Sequence, residues 1–195
     1  AASRNGVAPS AAHKDLPKLL AQEPKPGKIA QRTHDRELNV TTLVFENGVR
    51  LHLRPMSEQK NKIEIEIRLA GGEIEETADN RGISLAASMG ILHAGTSRLS
   101  PSDLERMVSA RSIMPIGMSR RDHFLLEVYT VPADLEEAMR VSYALLTDAR
   151  VDERVFQQWQ DRTRDSPERR RYSLSSQVSI TANRRFSGAD LRLAP

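Results

Sequence analysis

The clearest pattern in the chain is an alternation of apolar and charged residues over residues 62–69. Ile63, Ile65, Ile67 and Leu69 fall on one side of an extended chain, and the residues between them are charged. An extended segment with one apolar face is typical of an antiparallel sheet that is covered on one side. The pattern therefore predicts a strand whose isoleucines face a core.

A hairpin is predicted just before this strand. Residues 41–45 and 49–53 are two short apolar runs, and Asn47-Gly48 lies between them. Asn-Gly between two such runs is a strong hairpin signal, because both residues tolerate positive φ. Pro55 then ends the second strand, since proline cannot donate to a ladder.

Two helices and two strands are predicted in the middle of the chain. The apolar run 82–93 predicts a first helix, and Ser100-Pro101 begins a second one, with serine as N-cap and proline at the first helical position. Residues 113–118 and 122–130 then predict two strands joined by a short polar turn.

Two further helices are predicted near the end of the chain. Asp134 and Glu137 resemble a capping box that starts a helix reaching about residue 147. Asp152 caps the last one. The residues expected to face inward are Leu135, Ala138, Met139, Ser142, Leu145 and Leu146 in the first helix and Val155, Phe156 and Trp159 in the second.

The order of these elements indicates the fold class and the domain organisation. Strands and helices come in blocks, which favours an α+β fold with an antiparallel or mixed sheet and helices packed on one face. Residues 1–39 contain Pro17, Pro24 and Pro26 without an apolar period, so they are predicted to be a linker or mobile lead-in. Residues 40–195 are predicted to form the ordered module.

Composition narrows the classes of function. The 195 residues include no cysteine, so disulfides, thiolate metal sites and a cysteine nucleophile are excluded. Aromatic content is 4% and net charge is +3, which argues against a nucleic-acid surface. No apolar run approaches the roughly 20 residues of a membrane span. The first residues lack the charged and apolar regions of a signal peptide.

Residues 71–96, GGEIEETADNRGISLAASMGILHAGT, carry a family resemblance. A glycine pair, an acidic turn, G-[LI]-[AS]-H-x-x-E-H and x-G-T mark the insulinase/pitrilysin-type zinc metallopeptidases, whose H-x-x-E-H is the inverted zincin signature. This chain resembles that pattern, except that Leu85, Ser88 and Met89 stand where the histidine, glutamate and histidine are expected. The hairpin segment is also similar to the start of such a domain, so the resemblance covers about residues 40–195.

The three substituted positions remove the expected chemistry. Zinc takes histidine, cysteine or carboxylate ligands, which Leu85 and Met89 do not supply. Ser88 cannot replace the glutamate that serves as general base. Leu85, Met89 and Leu92 instead follow helical spacing and predict a buried core stripe.

A second loss lies downstream. The resemblance implies a glutamate as third zinc ligand on the last helix, before Asp165-Ser166-Pro167. That helix offers Gln157, Gln158 and Gln160, with no glutamate after Glu153 until the turn is passed. No catalytic, metal or cofactor residue is therefore expected in this segment.

The resemblance implies a non-catalytic module that forms the incomplete start of the C-terminal half of such a peptidase. It would wall the substrate chamber and bind unfolded peptide, while zinc and catalysis belong to a partner module in the same chain or in a homologous subunit. The compartment stays open: a soluble protein of the cell envelope, the periplasm or the cytoplasm fits equally.

Two alternatives from other classes remain. A divergent metallohydrolase could use a relocated metal site built from His93, His123 and Asp122, although no pair of them has zinc-ligand spacing. A protein-binding scaffold without a protease partner is the other. The arginines 162, 164, 169, 170 and 171 alternate with Asp161, Asp165 and Glu168, which favours a self-paired solvated face over contact with an acidic partner domain.

Overall fold

The computed structural model describes residues 17–164 and 172–186, which form strands and helices in alternating blocks. The strands are β1 (Ile29–Asp35), β2 (Val40–Phe45), β3 (Arg50–Leu53), β4 (Ile63–Ala70), β5 (Ala94–Gly95), β6 (Met114–Ser119), β7 (His123–Thr130) and β8 (Arg150–Val151). The helices are α1 (Ile83–Leu92), α2 (Pro101–Ser109), α3 (Leu135–Thr147), α4 (Glu153–Arg164) and α5 (Leu174–Phe186). The α+β class is confirmed.

The central sheet has the strand order β4-β7-β6 and is antiparallel throughout. Ile65 pairs with Val128 and Ile67 with Leu126, so the isoleucines of β4 share one face with the buried residues of β7. The alternation over residues 62–69 thus predicted the strand and its inward face correctly. Only Leu69, at the end of the strand, stays 42% exposed.

Helices α1 and α3 cover this inner face. Gly117 in β6 leaves the space for α1, because a Cβ there would lie only 2.9 Å from the Cβ of Ile91. The core contains Leu99, Leu104, Ile113, Leu126, Val128, Ala138, Val141, Ala144 and Leu145. Burial of these side chains is the main source of stability of the module.

Helix α3 forms where it was predicted, and Ala138, Ser142 and Leu145 are buried as expected. Leu135, Met139 and Leu146 are 37%, 49% and 37% exposed, so their expected burial was wrong. Val141 and Ala144 are buried instead. The apolar residues of this helix occupy more than one face, and contact with the sheet selects the face with the smaller side chains.

The predicted capping box of α3 is also wrong. The Asp134 side chain makes no hydrogen bond to the first turn of the helix. Its Oδ2 instead accepts a hydrogen bond from the Ser112 backbone N–H at 3.0 Å, which ties the start of α3 to the loop before β6. The caps of α2 and α4 are confirmed, because Ser100 Oγ and Asp152 Oδ1 accept from backbone N–H groups of the first turns.

A second sheet, order β1-β2-β3, contains the predicted hairpin. Its strand β1 lies inside residues 1–39, so the expectation that order begins at Val40 was wrong. The sequence of β1, IAQRTHD, has no apolar alternation because all seven residues are exposed. Backbone pairing with β2, from Ile29↔Phe45 to Asp35↔Val40, holds this strand.

The last two helices are less buried than their apolar residues suggested. Phe156 and Trp159 of α4 stack with ring centroids 5.6 Å apart, yet Phe156 is 39% exposed. In α5, Leu174, Val178 and Phe186 are largely exposed. Within the described residues, no helix is both long and apolar enough to cross a membrane.

Candidate functional site

The motif segment is held together by one acidic side chain. Gly82 precedes α1 with φ 87° and has no side chain that could cap the helix. Glu76 supplies the missing acceptors, because its two carboxylate oxygens accept from the backbone N–H groups of Gly82 at 2.8 Å and Ser84 at 3.0 Å. The acidic turn and the helix are therefore one unit.

The environment of Glu76 favours its charged form. Its side chain is only 7% exposed. Burial opposes ionisation, but the backbone hydrogen bonds of Gly82 and Ser84, the Ser84 side chain and the Arg81 charge together lower the pKa of Glu76 below its ordinary value. Sequence analysis missed this role; its signal is an acid placed six residues before a glycine N-cap.

The Gly-Gly pair also has a structural reason. Gly72 has φ 121°, and a Cβ there would clash with the backbone oxygen of Arg120. Glu73 and Ile74 donate their backbone N–H groups to the carbonyls of Arg120 and Arg121. This close approach fixes the acidic turn against the β6–β7 turn, so the segment before α1 is positioned from both ends.

The three substituted motif positions lie on α1, but they do not share one environment. Ser88 is buried at 6% exposure, and its Oγ donates to the Ser84 carbonyl at 3.0 Å. Met89 is half-buried. Leu85 is 52% exposed, so the prediction that it is a buried core residue was wrong for this chain. The side chain of Leu92 lies outside what the structure describes.

The physical reason is the side of the helix that faces the sheet. Ile91 contacts Gly117, and Gly90 approaches Val151, where an added Cβ would lie 3.1 Å from Cγ2. These contacts orient α1 so that Ile83 and Leu85 point away from the core, at 56% and 52% exposure. An apolar stripe on a helix that is apolar on all sides does not identify which face is buried.

The hypothetical relocated metal site is not assembled in the described residues. His123 Nδ1 lies 2.8 Å from Asp122 Oδ1, but His93 is not within ligand distance of that pair. His52 and His34 are hydrogen bonded to Thr42 and Thr41. His13 lies outside the described residues.

A different acidic group lies on the outer face of the central sheet. Carboxylate oxygens of Glu64, Glu66 and Glu127 lie within 4.8 Å of one another. Cations already neutralise two of them, since Lys62 is 3.8 Å from Glu64 and Arg68 is 2.7 Å from Glu66. A hydrogen bond to Glu127 is the main cause that raises the pKa of Tyr129 to about 12. The donor set is therefore that of a paired surface cluster.

The downstream helix carries glutamines where the resemblance implied a glutamate ligand. Gln157, Gln158 and Gln160 are all exposed on α4, and Gln157 Nε2 donates to Glu153 Oε1 at 3.3 Å. The side chains of Arg162 and Arg164, and residues 165–171, lie outside what the structure describes, so the arginine cluster stays a prediction.

Comparisons with known proteins support the fold. No family model and no curated sequence matches the chain. The periplasmic protease PqqL from Escherichia coli superposes with a TM-score of 0.75 at 16% identity, over 92% of this chain and 20% of that one. The ferredoxin protease FusC, solved as a mutant with Arabidopsis ferredoxin, gives 0.70 at 13% over 91% and 20%. A Helicobacter pylori protease gives 0.54 at 16% over 67% and 31%.

These matches show an insulinase-like peptidase fold over most of the chain. At 13–16% identity, they carry no activity over to it. The chain spans about a fifth of the length of PqqL and FusC.

Proposed function

We propose that this chain is a non-catalytic module of an insulinase/pitrilysin-type zinc peptidase, which walls the substrate chamber and binds unfolded peptide. The observation that carries the proposal is that the motif segment keeps its glycines, acidic turn and helix but lacks the zinc ligands and the base. Glu76, Gly82 and α1 keep the motif segment in a defined geometry, whereas Leu85, Ser88 and Met89 offer no zinc ligand and no base.

The partner in this proposal is a catalytic module with intact ligands, in the same polypeptide or in a homologous subunit. Zinc belongs to that partner, where it would polarise the scissile carbonyl and activate water. This chain contributes part of the chamber wall, which encloses the peptide and excludes bulk water. Ile83 and Leu85 supply exposed apolar side chains for that surface.

A cleavage assay tests the catalytic half of the proposal. The purified chain is incubated with a fluorogenic unstructured peptide, with added zinc and with a chelator. We expect no cleavage under either condition. Chelator-sensitive hydrolysis would contradict the proposal and favour the divergent metallohydrolase.

A variant sharpens this assay. Leu85→His with Ser88→Glu and Met89→His restores the motif residues. Ser88 is buried, so circular dichroism first establishes that the variant is folded. We expect this variant to stay inactive, because α4 presents only glutamines where the third ligand is expected. Hydrolysis by the variant would mean that the downstream loss does not matter.

The binding half is tested by fluorescence anisotropy with a labelled unfolded polypeptide. We expect measurable binding by the parent chain and weaker binding by Leu85→Asp, which places a charge on the exposed face of α1. Equal binding by both chains would remove α1 from the proposed chamber wall. A complete lack of binding would instead favour a scaffold role.

A further inference from the structure

The segment 17–23, called the strap below, lies across the helical layer without belonging to any helix or strand. Its Leu19 side chain is only 6% exposed. It joins the same apolar cluster as Leu104 of α2 and Val141 of α3, and Leu20 packs against that cluster. The strap thus places two adjacent leucines against a core that includes residues of α2 and α3, far along the chain.

Two arginines hold the strap at its ends. Arg98 Nε donates to the backbone carbonyl of Lys18 at 2.8 Å. Arg140 Nε donates to Glu23 Oε1 at 2.9 Å. Arg98 binds the backbone of the strap and Arg140 binds its acidic side chain. Together they hold a short extended peptide in one direction.

The strap is held loosely in other respects. In the described part of the chain, residues 17–27 make no backbone–backbone hydrogen bond. The first such bond after the strap is at Lys28, whose carbonyl accepts from the Glu46 N–H. A surface pocket of about 400 Å³ borders Leu19 and is lined by Lys18, Met107, Arg111 and Glu137 among others. A segment with few backbone hydrogen bonds and incomplete packing opens more readily than a core element.

We propose that the groove between α2 and α3 is a peptide-binding slot and that the strap is its internal ligand. The strap opens while the sheet and helices stay folded. The slot then accepts an extended peptide with two adjacent leucines and an acidic residue three positions after the second leucine. The apolar site that Leu19 now occupies, called the apolar seat, takes a leucine of the peptide. Arg98 binds a peptide carbonyl, and Arg140 binds the acid. This inference is independent of the proposed peptidase role.

Native-state thiol labelling tests the opening. The chain has no cysteine, so each variant carries a single reactive thiol. Leu19→Cys reports on the strap, and Ala144→Cys, at 1% exposure in α3, reports on the core. We expect Leu19→Cys to be labelled at least about tenfold faster, with little dependence on denaturant, because only the strap opens. Equal rates with equal denaturant dependence would overturn the proposal.

A peptide in trans tests the slot. A labelled peptide with the sequence of residues 17–25, PKLLAQEPK, is titrated against the Leu19→Ala chain, whose own strap is weakened. We expect binding that is reduced at least about tenfold in a peptide with both leucines replaced by alanine, since the apolar seat is lost. Should Leu19→Ala not fold, Glu23→Gln weakens the strap at its exposed end instead. No binding by either weakened chain, or equal binding of both peptides, would overturn the slot.

Discussion

Helices α1 and α3 pack on the same face of the central sheet, but their sides that face away from the sheet differ in charge. In α3, Ala138, Val141, Ala144 and Leu145 are buried, and Arg140 on the other side pairs with acidic residues. In α1 the side facing the sheet is packed, while Ile83 and Leu85 on the other side are exposed.

This difference between α1 and α3 shows when an apolar stripe in a sequence identifies the buried side of a helix. Helix α3 carries charged residues on its outer side, together with the partly exposed Leu135, Met139 and Leu146, and its buried side packs inside the module. Helix α1 has no charged residue on any face. Such a helix is suited to burial on both sides, but only the side that faces the sheet is buried in the described residues. Its outer face is the one that the proposed function assigns to contact with a peptide.

The largest expected effect is at Leu145 of α3, which is 3% exposed. Leu145→Ala should lower the free energy of unfolding by about 2–5 kcal/mol, because it leaves a cavity in a packed core. Urea denaturation followed by circular dichroism measures this loss. A change below about 0.5 kcal/mol, the usual limit for surface substitutions, would mean that α3 is not the anchored helix.

A smaller effect is expected at Glu76, which caps α1. Glu76→Gln removes the charge and one of the two good acceptors, and should cost about 1–2 kcal/mol. The exposed neighbour provides the control: Glu75→Gln should be nearly neutral. If both substitutions cost the same, Glu76 does not hold the motif segment.

The pH dependence of Glu76 has a definite sign. Its folded pKa lies below the ordinary value of 4.5, so the stabilisation is present above about pH 4.5 and is lost as pH falls through the folded pKa. The difference in unfolding free energy between the parent and Glu76→Gln should therefore shrink below pH 4.5. A difference that grows on acidification would contradict the capping role.

The smallest effect is expected at Leu85, the chemical match to Leu145. Because Leu85 is 52% exposed, Leu85→Ala should change stability by no more than about 0.5 kcal/mol. The two Leu→Ala variants, measured side by side, compare a buried leucine with an exposed one. A loss of 2 kcal/mol or more at Leu85, typical of buried sites, would restore the original expectation of a buried stripe.

Sequence patterns predicted those elements whose own residues carry the signal. The alternation of apolar and charged residues in β4 predicts its inward face, and Ser100-Pro101 predicts the start of α2. Strand β1 has no such signal, because β2 holds it through the backbone. The strap was missed for a related reason: Leu19 is buried only by residues far along the chain.

The candidate site was predictable in its position but not in its geometry. The spacing of residues 71–96 located the helix, the glycine N-cap and the three substituted positions. Which side of α1 faces the sheet depends on Gly117, twenty-five residues after the helix ends, and on Val151. The capping role of Glu76 depends on the path of the turn between it and Gly82.

Zinc binding by the intact purified chain tests the central claim most directly, namely that the motif segment keeps its frame without its chemistry. Metal content is measured after purification without chelator, and zinc is then titrated by calorimetry against the parent and against Leu85→His with Ser88→Glu and Met89→His. We predict no stoichiometric zinc in the parent and weak binding in the variant, since two histidines on one turn supply only part of a zinc site. Tight binding of one zinc per parent chain would contradict the account.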